Sequence, residues 1–238
     1  MKSLLDIQKN LETFEKKFGF SAVGAVQGSG IWFQLKLGVI SASNASKVVA
    51  KKDSDIRHTY MSELVAQVCT GIMEEINSKY LDWGTQQEDA ARSYYEFSSG
   101  HTVTQLPFVF KDNSFREGCS PDGIVTESKG VEIKCPYNTV HFIKFLTADE
   151  IKSEYDWQAQ YTLRVMGAEE WDFVQYDPRM KTTPMHTITV KRDVEKQKKF
   201  DDLVPAFIED MDKMLGKIGV NFGDQWKLFG AKIGEVNK

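Results

Sequence analysis

Cys119-Ser120-Pro121-Asp122-Gly123-Ile124-Val125-Thr126-Glu127-Ser128-Lys129-Gly130-Val131-Glu132-Ile133-Lys134-Cys135-Pro136 reads as two short strands joined by a polar turn. Val131 and Ile133 alternate with Glu132 and Lys134, so a strand's period of two turns the apolar pair to one face and the charged pair to the other. Asp122 stands ten residues before Glu132, between a proline and a glycine. If the two strands pair, Asp122 and Glu132 converge at one sheet edge, beside Lys134.

Two oxygen-donor carboxylates with an adjacent cation suit a hard metal such as Mg2+ acting on a phosphate. Taken alone, Glu132-Ile133-Lys134 is the solvated face of a half-buried hairpin. The combination of Pro121-Asp122, a short gap and apolar-Glu-apolar-Lys is more specific. It resembles the PD-(D/E)xK nuclease signature.

The chain has 238 residues, enough to bury a full core as one domain. With 41% apolar and 27% charged residues, its composition is that of an ordinary soluble protein. No apolar run reaches the length of a membrane span, and the N-terminus has no signal-peptide core. The three cysteines, Cys69, Cys119 and Cys135, are odd in number and lack C-x-x-C spacing, which favours a reducing cytosol over a disulfide frame or zinc site. The net charge of −4 argues against a protein that coats DNA; positive charge for a nucleic acid must be local.

Along the chain, residues 1–17 carry a helical apolar stripe of Leu4, Leu5, Ile7, Leu11 and Phe14. The glycine-rich stretch 19–30 reads as loop. Ser41 and Ser43 precede a helix over 44–50 and are candidate caps; a capped helix start near Lys36 is also a ready phosphate site. Residues 51–57 read as a charged loop, 60–70 as a helix ended by Gly71, and 81–97 as a helix with Glu88 and Arg92 on one face. A strand over 103–110 precedes the central hairpin. Helices over 140–146 and 150–165 follow, the latter with Glu154, Gln158, Tyr161 and Arg164 recurring on one side. Two strands, 171–176 and 185–191, flank the turn Asp177-Pro178-Arg179. A C-terminal helix over 194–218 has Pro205 as a candidate kink, and the last twenty residues carry aromatics but no pattern. The reading is one α/β domain over 1–238: a central mixed sheet flanked by helices, an N-terminal helix and loop over 1–30, and a C-terminal helix and tail over 194–238.

Longer ordered segments carry a second resemblance. They are Leu35-Lys36-Leu37-Gly38-Val39-Ile40-Ser41-Ala42-Ser43, Val68-Cys69-Thr70-Gly71 and Leu81-Asp82-Trp83-Gly84-Thr85-Gln86-Gln87-Glu88. Cys119 to Gly123, Glu132 to Pro136, Gln158 to Tyr161, Tyr176 to Lys181 and Gly223 to Trp226 complete the set. Between about Trp32 and Trp226 the chain resembles the phage lambda exonuclease family, also called YqaJ-type viral recombinases, with a restriction-endonuclease-like core.

That resemblance implies a 5′-to-3′ exonuclease that digests one strand of double-stranded DNA from an end and releases mononucleotides. It implies two Mg2+ ions, with Mn2+ substituting, a ring-shaped homotrimer, and a single-strand annealing protein as partner in a bacterial cytoplasm. The metal-binding acids fall on Asp122 and Glu132, with the Ile133 backbone carbonyl and Glu88 as further ligands. The active-site lysine falls on Lys134 and a supporting glutamine on Gln158. The 5′-phosphate pocket falls on Lys36, Ser43 and Ser120, and the residue that wedges into the duplex end on Leu81. At Lys36 a relative carries arginine; lysine grips a phosphate as a point charge rather than bidentately. Residues 1–30 and 51–57 carry no resemblance. An endonuclease built on the same core, and a non-catalytic scaffold that binds DNA ends, are the alternatives.

Overall fold

Leu4–Phe18 forms the first helix, α1, opened by a reciprocal capping box between Ser3 and Asp6 and closed by Gly19 in a left-handed conformation. Its buried face is Ile7, Leu11, Phe14 and Phe18, whereas Leu4 and Leu5 stay exposed. The computed structural model describes residues 1–22, 25–73 and 79–227, without the Leu81 side chain. The remaining helices are α2 (Gly30–Leu35), α3 (Ala45–Val48), α4 (Asp55–Thr70), α5 (Lys79–Ser99), α6 (Thr139–Ala148), α7 (Ser153–Met166) and α8 (Val194–Ile218). The strands are β1 (Ile40–Ser41), β2 (Val109–Phe110), β3 (Glu117–Cys119), β4 (Gly123–Ile124), β5 (Lys129–Lys134), β6 (Glu170–Tyr176) and β7 (Met185–Lys191).

The mixed α/β architecture expected from the sequence holds, but the strands divide into two sheets. A three-stranded sheet has the order β1-β3-β2, and a four-stranded sheet the order β4-β5-β6-β7. In the second, β5 and β6 are parallel, and antiparallel β4 and β7 form the edges. The chain passes from one sheet to the other through Ser120, Pro121 and Asp122 alone. Gly123 opens β4 where no side chain fits, since a Cβ there would stand 2.2 Å from a Val103 methyl carbon.

Both faces of the four-stranded sheet are covered. Val131, Ile133, Val174 and Tyr176 pack under Ala91 and Tyr95 of α5. On the opposite face, Trp171 and Phe173 join the main core with Tyr161 and Leu163 of α7. Glu132 lies on this second face, paired in register with Phe173. Helix α7 is not the one-sided helix its spacing indicates: residues 158–163 are all buried, because α7 runs between the sheets and α8.

Other local readings are corrected. The helix expected over 44–50 is a 3₁₀ turn at Ala42–Asn44 followed by α3, and neither Ser41 nor Asn44 makes a side-chain cap bond. The expected loop over 51–57 ends early, because Ser54 caps α4. Only Val109–Phe110 of the 103–110 stretch joins a sheet; Thr104 makes an isolated bridge to Ile124. Helix α8 continues through Pro205. The tail is not patternless either. Fully buried Trp226 packs edge-on to Phe14 at 4.8 Å and donates its indole N–H to the Gln34 carbonyl, while Gln225 donates to the Leu37 carbonyl.

Trp226 therefore ties the C-terminal segment to α1 and to α2, and Gln225 ties it to the turn that follows α2. Trp226→Ala is expected to destabilise the chain by about 3–5 kcal/mol, the usual cost of emptying a large aromatic site. Equilibrium urea unfolding checks this, and a loss under about 1 kcal/mol would contradict the packing role.

Candidate active site

The edge of the four-stranded sheet brings together two carboxylates that are separate in sequence. Gly123 pairs with Val131, so Asp122 lies at the position facing Glu132. Asp122 Oδ2 accepts the backbone N–H of Ile133 at 2.6 Å. Glu132 Oε1 accepts both the Lys134 ammonium and the Gln158 amide, each at 2.6 Å. Asp122, Glu132 and Gln158 are buried and Lys134 is partly exposed. Buried charge at such a site must be paired and hydrogen-bonded, and this network does both.

Burial pushes the Asp122 carboxyl well above the ordinary carboxylate range, and the neighbouring Glu132 charge adds to the shift. The Lys134 ammonium and the Ile133 N–H pull the other way without cancelling it. Burial alone would lower Lys134, but the Glu132 and Asp122 carboxylates outweigh it and hold the ammonium protonated.

These bonds leave Asp122 Oδ1 and Glu132 Oε2 outside the network. Two adjacent hard oxygen donors, whose mutual repulsion a cation relieves, fit a divalent ion of the Mg2+ type. Among the described residues no three His, Cys, Asp or Glu side chains gather as a ready-made metal cluster. Glu88 lines the same cavity as Asp122 but is engaged by Arg92 at 3.1 Å, with Arg92 also bound to Asp89. A hard cation here would take its remaining ligands from backbone, water and phosphate oxygens.

Asp122 and Lys134 open on a cavity of about 920 Å³ whose wall also includes Glu88 and Ile133, while Glu132 lies just behind them. The wall also includes Tyr80, Tyr137, Lys152, Tyr155 and Gln175, to which the sequence assigns no role, and Arg179, which it marks only as part of a turn. Gln175 was recoverable in principle, since it pairs with Lys134 across β5 and β6. Tyr137 and Arg179 arrive on turns and carry no periodic signal.

The candidate phosphate-binding residues are partly assembled. Ser43 and Ser120 follow β1 and β3, which run parallel side by side, and so leave the same end of that sheet. The Ser120 hydroxyl is buried and has no hydrogen-bond partner among the described residues, and the Ser43 hydroxyl lies 3.3 Å from that of Ser41. Lys36 follows α2 with its ammonium 3.8 Å from the centre of the Trp32 ring, and burial lowers its pKa to about 8. It makes no hydrogen bond to either serine among the described residues. The backbone of α5 carries Leu81, but its side chain lies outside the described residues.

A carboxylate pair and an ammonium, set at the edge of a mixed sheet between helices, define a nuclease-type α/β fold. The YqaJ-like viral recombinase domain matches residues 31–169, more than half of the chain. The chain belongs to that family. It is 43% identical over 79 residues to ExoD of Escherichia coli (strain K12), a match covering 33% of this chain and 91% of ExoD. Its fold superposes on the alkaline exonuclease LHK-Exo of Laribacter hongkongensis with a TM-score of 0.70 and 28% identity, covering 80% of this chain and 98% of that one. LHK-Exo is also known in complex with dAMP, with the same superposition. A phage-related exonuclease of Haemophilus somnus 129PT shares the fold, with a TM-score of 0.62 and 14% identity over 76% of this chain and 96% of that one.

The raised Asp122 pKa has a consequence for stability. A carboxyl raised on folding stabilises least once pH exceeds its folded value, so ionised Asp122 costs the metal-free protein stability at alkaline pH. Asp122→Asn is expected to raise the metal-free Tm at about pH 8, with the gain shrinking toward about pH 4, and to remove Mg2+-induced stabilisation. Thermal scans with and without Mg2+ check this; a variant still stabilised by Mg2+ like the parent would contradict it.

Proposed function

We propose that this protein is a Mg2+-dependent exonuclease that degrades one strand of duplex DNA 5′-to-3′ from an end, releasing mononucleotides and leaving a 3′ single strand for annealing-type recombination. The observation that carries this reading is buried Asp122 facing Glu132 beside protonated Lys134, with Asp122 and Lys134 open to one cavity. Family membership and the likeness to LHK-Exo support a nuclease acting on DNA. The dAMP bound by LHK-Exo is a mononucleotide of the kind such a reaction releases.

Asp122, Glu132, the Ile133 carbonyl and Glu88 are the residues to hold two Mg2+ ions, with Mn2+ substituting; when bound, such ions supply an activated water and relieve charge on the phosphoryl group. The chain's own residues do the rest. Gln158 donates to Glu132 and fixes its rotamer, so the free oxygen keeps its aim. Lys134 is held charged, which suits it to stabilise negative charge on the attacking oxygen and the phosphate rather than to act as general base. Leu81 is the proposed wedge at the duplex fork, trading base unstacking for strand separation. The ring-shaped homotrimer and the annealing partner are part of the same proposal. Enclosure by a ring lets a chain of net charge −4 stay on DNA without a large basic surface. Among the described residues no helix is long and apolar enough to cross a membrane.

Lys36, Ser43 and Ser120 are the proposed grip on the 5′-phosphate. Ser120 brings a buried hydroxyl with no hydrogen-bond partner among the described residues, and Lys36 is a cation only below about pH 8. Binding that needs the ammonium holds below that value and weakens above it. Preference for 5′-phosphorylated over 5′-hydroxyl ends is therefore expected to fall roughly tenfold between about pH 7 and about pH 9, and to stay flat in Lys36→Arg. Competition digests of the two ends check this, and a pH-independent preference in the parent would contradict the role of Lys36.

The reading as a whole is tested with linear and covalently closed duplex in Mg2+. Linear DNA is expected to release acid-soluble nucleotides and the circle to stay intact. Lys134→Ala is expected to lose about 10²–10³-fold in rate while still binding ends. Cleavage of the circle, or near-parental cleavage by Lys134→Ala, would overturn it.

A further inference from the structure

Two tyrosine rings line the cavity that holds Asp122 and Lys134, and the cleavage chemistry uses neither. Tyr80 lies in the first turn of α5 and is 59% exposed; Tyr137 follows β5 on the Pro136–Asn138 turn and is 40% exposed. Their ring centres are 5.1 Å apart at an interplanar angle of 83°. Trp83 stands behind Tyr137, edge-on at 6.2 Å. Single exposed rings are ordinary on a protein surface, but these two are in contact with each other and line the same cavity as Asp122 and Lys134.

The turn that carries Tyr137 is held in place. Arg179 donates to the Pro136 carbonyl at 3.1 Å and to the Tyr137 carbonyl at 2.9 Å. The same guanidinium is clamped by fully buried Asp177 and lies 4.6 Å from the centre of the Trp83 ring. Asp177-Pro178-Arg179 thus joins the end of β6 to the end of β5 and to α5. These bonds hold the backbone that carries the Tyr137 ring against the cavity wall. The Lys79 ammonium lies 5.4 Å from the Tyr80 ring and 5.3 Å from the Tyr137 ring, adding positive charge where a phosphate backbone would pass.

We infer that Tyr80 and Tyr137 form an aromatic platform for the nucleobase of the nucleotide being removed, one ring stacking on the base and the other meeting it edge-on, with Arg179 as the residue that positions Tyr137. The inference rests on the exonuclease reading and deepens it. An enzyme that removes successive nucleotides whatever their sequence needs a grip blind to base identity. Stacking supplies one, because every base has a π-face, and it typically tightens binding by about tenfold per base. Phosphate contacts alone would not orient the base. The platform would hold the sugar–base half of the nucleotide while Asp122, Glu132 and Lys134 engage its phosphate.

The test is an equilibrium titration of the full-length chain, in excess Mg2+, with 5′-dAMP and with 2-deoxyribose 5-phosphate, which lacks the base. The parent is expected to prefer 5′-dAMP by about tenfold. Tyr137→Phe keeps that preference, and Tyr137→Ala and Tyr80→Ala each reduce it, while affinity for the base-free sugar phosphate is unchanged. Equal affinity of the parent for the two ligands, or full preference retained in Tyr137→Ala, would overturn the platform. Nucleotide release from linear duplex by the parent is measured alongside. Its absence would overturn the exonuclease reading whatever the titrations show; its presence with equal affinities would overturn the platform alone.

Discussion

A single backbone N–H sets the geometry of the site. By accepting the Ile133 amide at 2.6 Å, Asp122 is locked to β5 and becomes the near neighbour of Glu132. The bond works because β4 is an edge strand only two residues long: after Ile124 and before Gly123 the chain is free to leave the ladder. Pro121 and Gly123 enforce that exit, proline by restricting the backbone and glycine by fitting against Val103. Burial first, and the neighbouring Glu132 charge second, then raise Asp122 well above its ordinary range. The protein tolerates this because Lys134 and Gln158 both hold Glu132. Such stored repulsion favours a divalent cation, and the same repulsion makes the metal-free site expensive to keep ionised.

The two sheets carry different parts of the proposed site. The small sheet delivers Ser43 and Ser120 at its rim, and the larger one delivers Asp122, Glu132 and Lys134. Ser120 of the proposed phosphate grip and the carboxylate of Asp122 are separated in the chain by Pro121 alone, so the link between the sheets joins the two sets directly. Helix α7, buried on nearly every side, braces both sheets: Tyr161 and Arg164 bind Glu117 of β3, and Gln158 binds Glu132 of β5. A change in α7 would therefore be felt at both sets at once.

Much of this was legible in the residues. The alternation of Val131-Glu132-Ile133-Lys134 placed the charged pair on one face, and the β4–β5 pairing is the one on which convergence of Asp122 with Glu132 depended. The Glu88–Arg92 pair at helical spacing is also present. What periodicity could not show was coverage. The Glu132 face looks solvent-directed in sequence but is roofed by α7, whose own buried glutamines and threonine break the apolar pattern that marks a core helix. Short strands were poorly legible for a related reason: Ile40–Ser41 takes its partners, Glu117 and Gly118, from chain far away in sequence. Trp226 and Arg179 lie on segments without a period, and their roles come from tertiary contacts alone.

The central claim is that Asp122 and Glu132 jointly hold a divalent cation, and Mn2+ reports on that directly. Titrating the full-length chain with Mn2+ while following the electron paramagnetic resonance signal of the free ion measures binding without any turnover. The account predicts that the parent depletes the free-ion signal at about neutral pH and that Glu132→Gln, with an unchanged circular dichroism spectrum, does not. Parental Mn2+ binding by Glu132→Gln would contradict it.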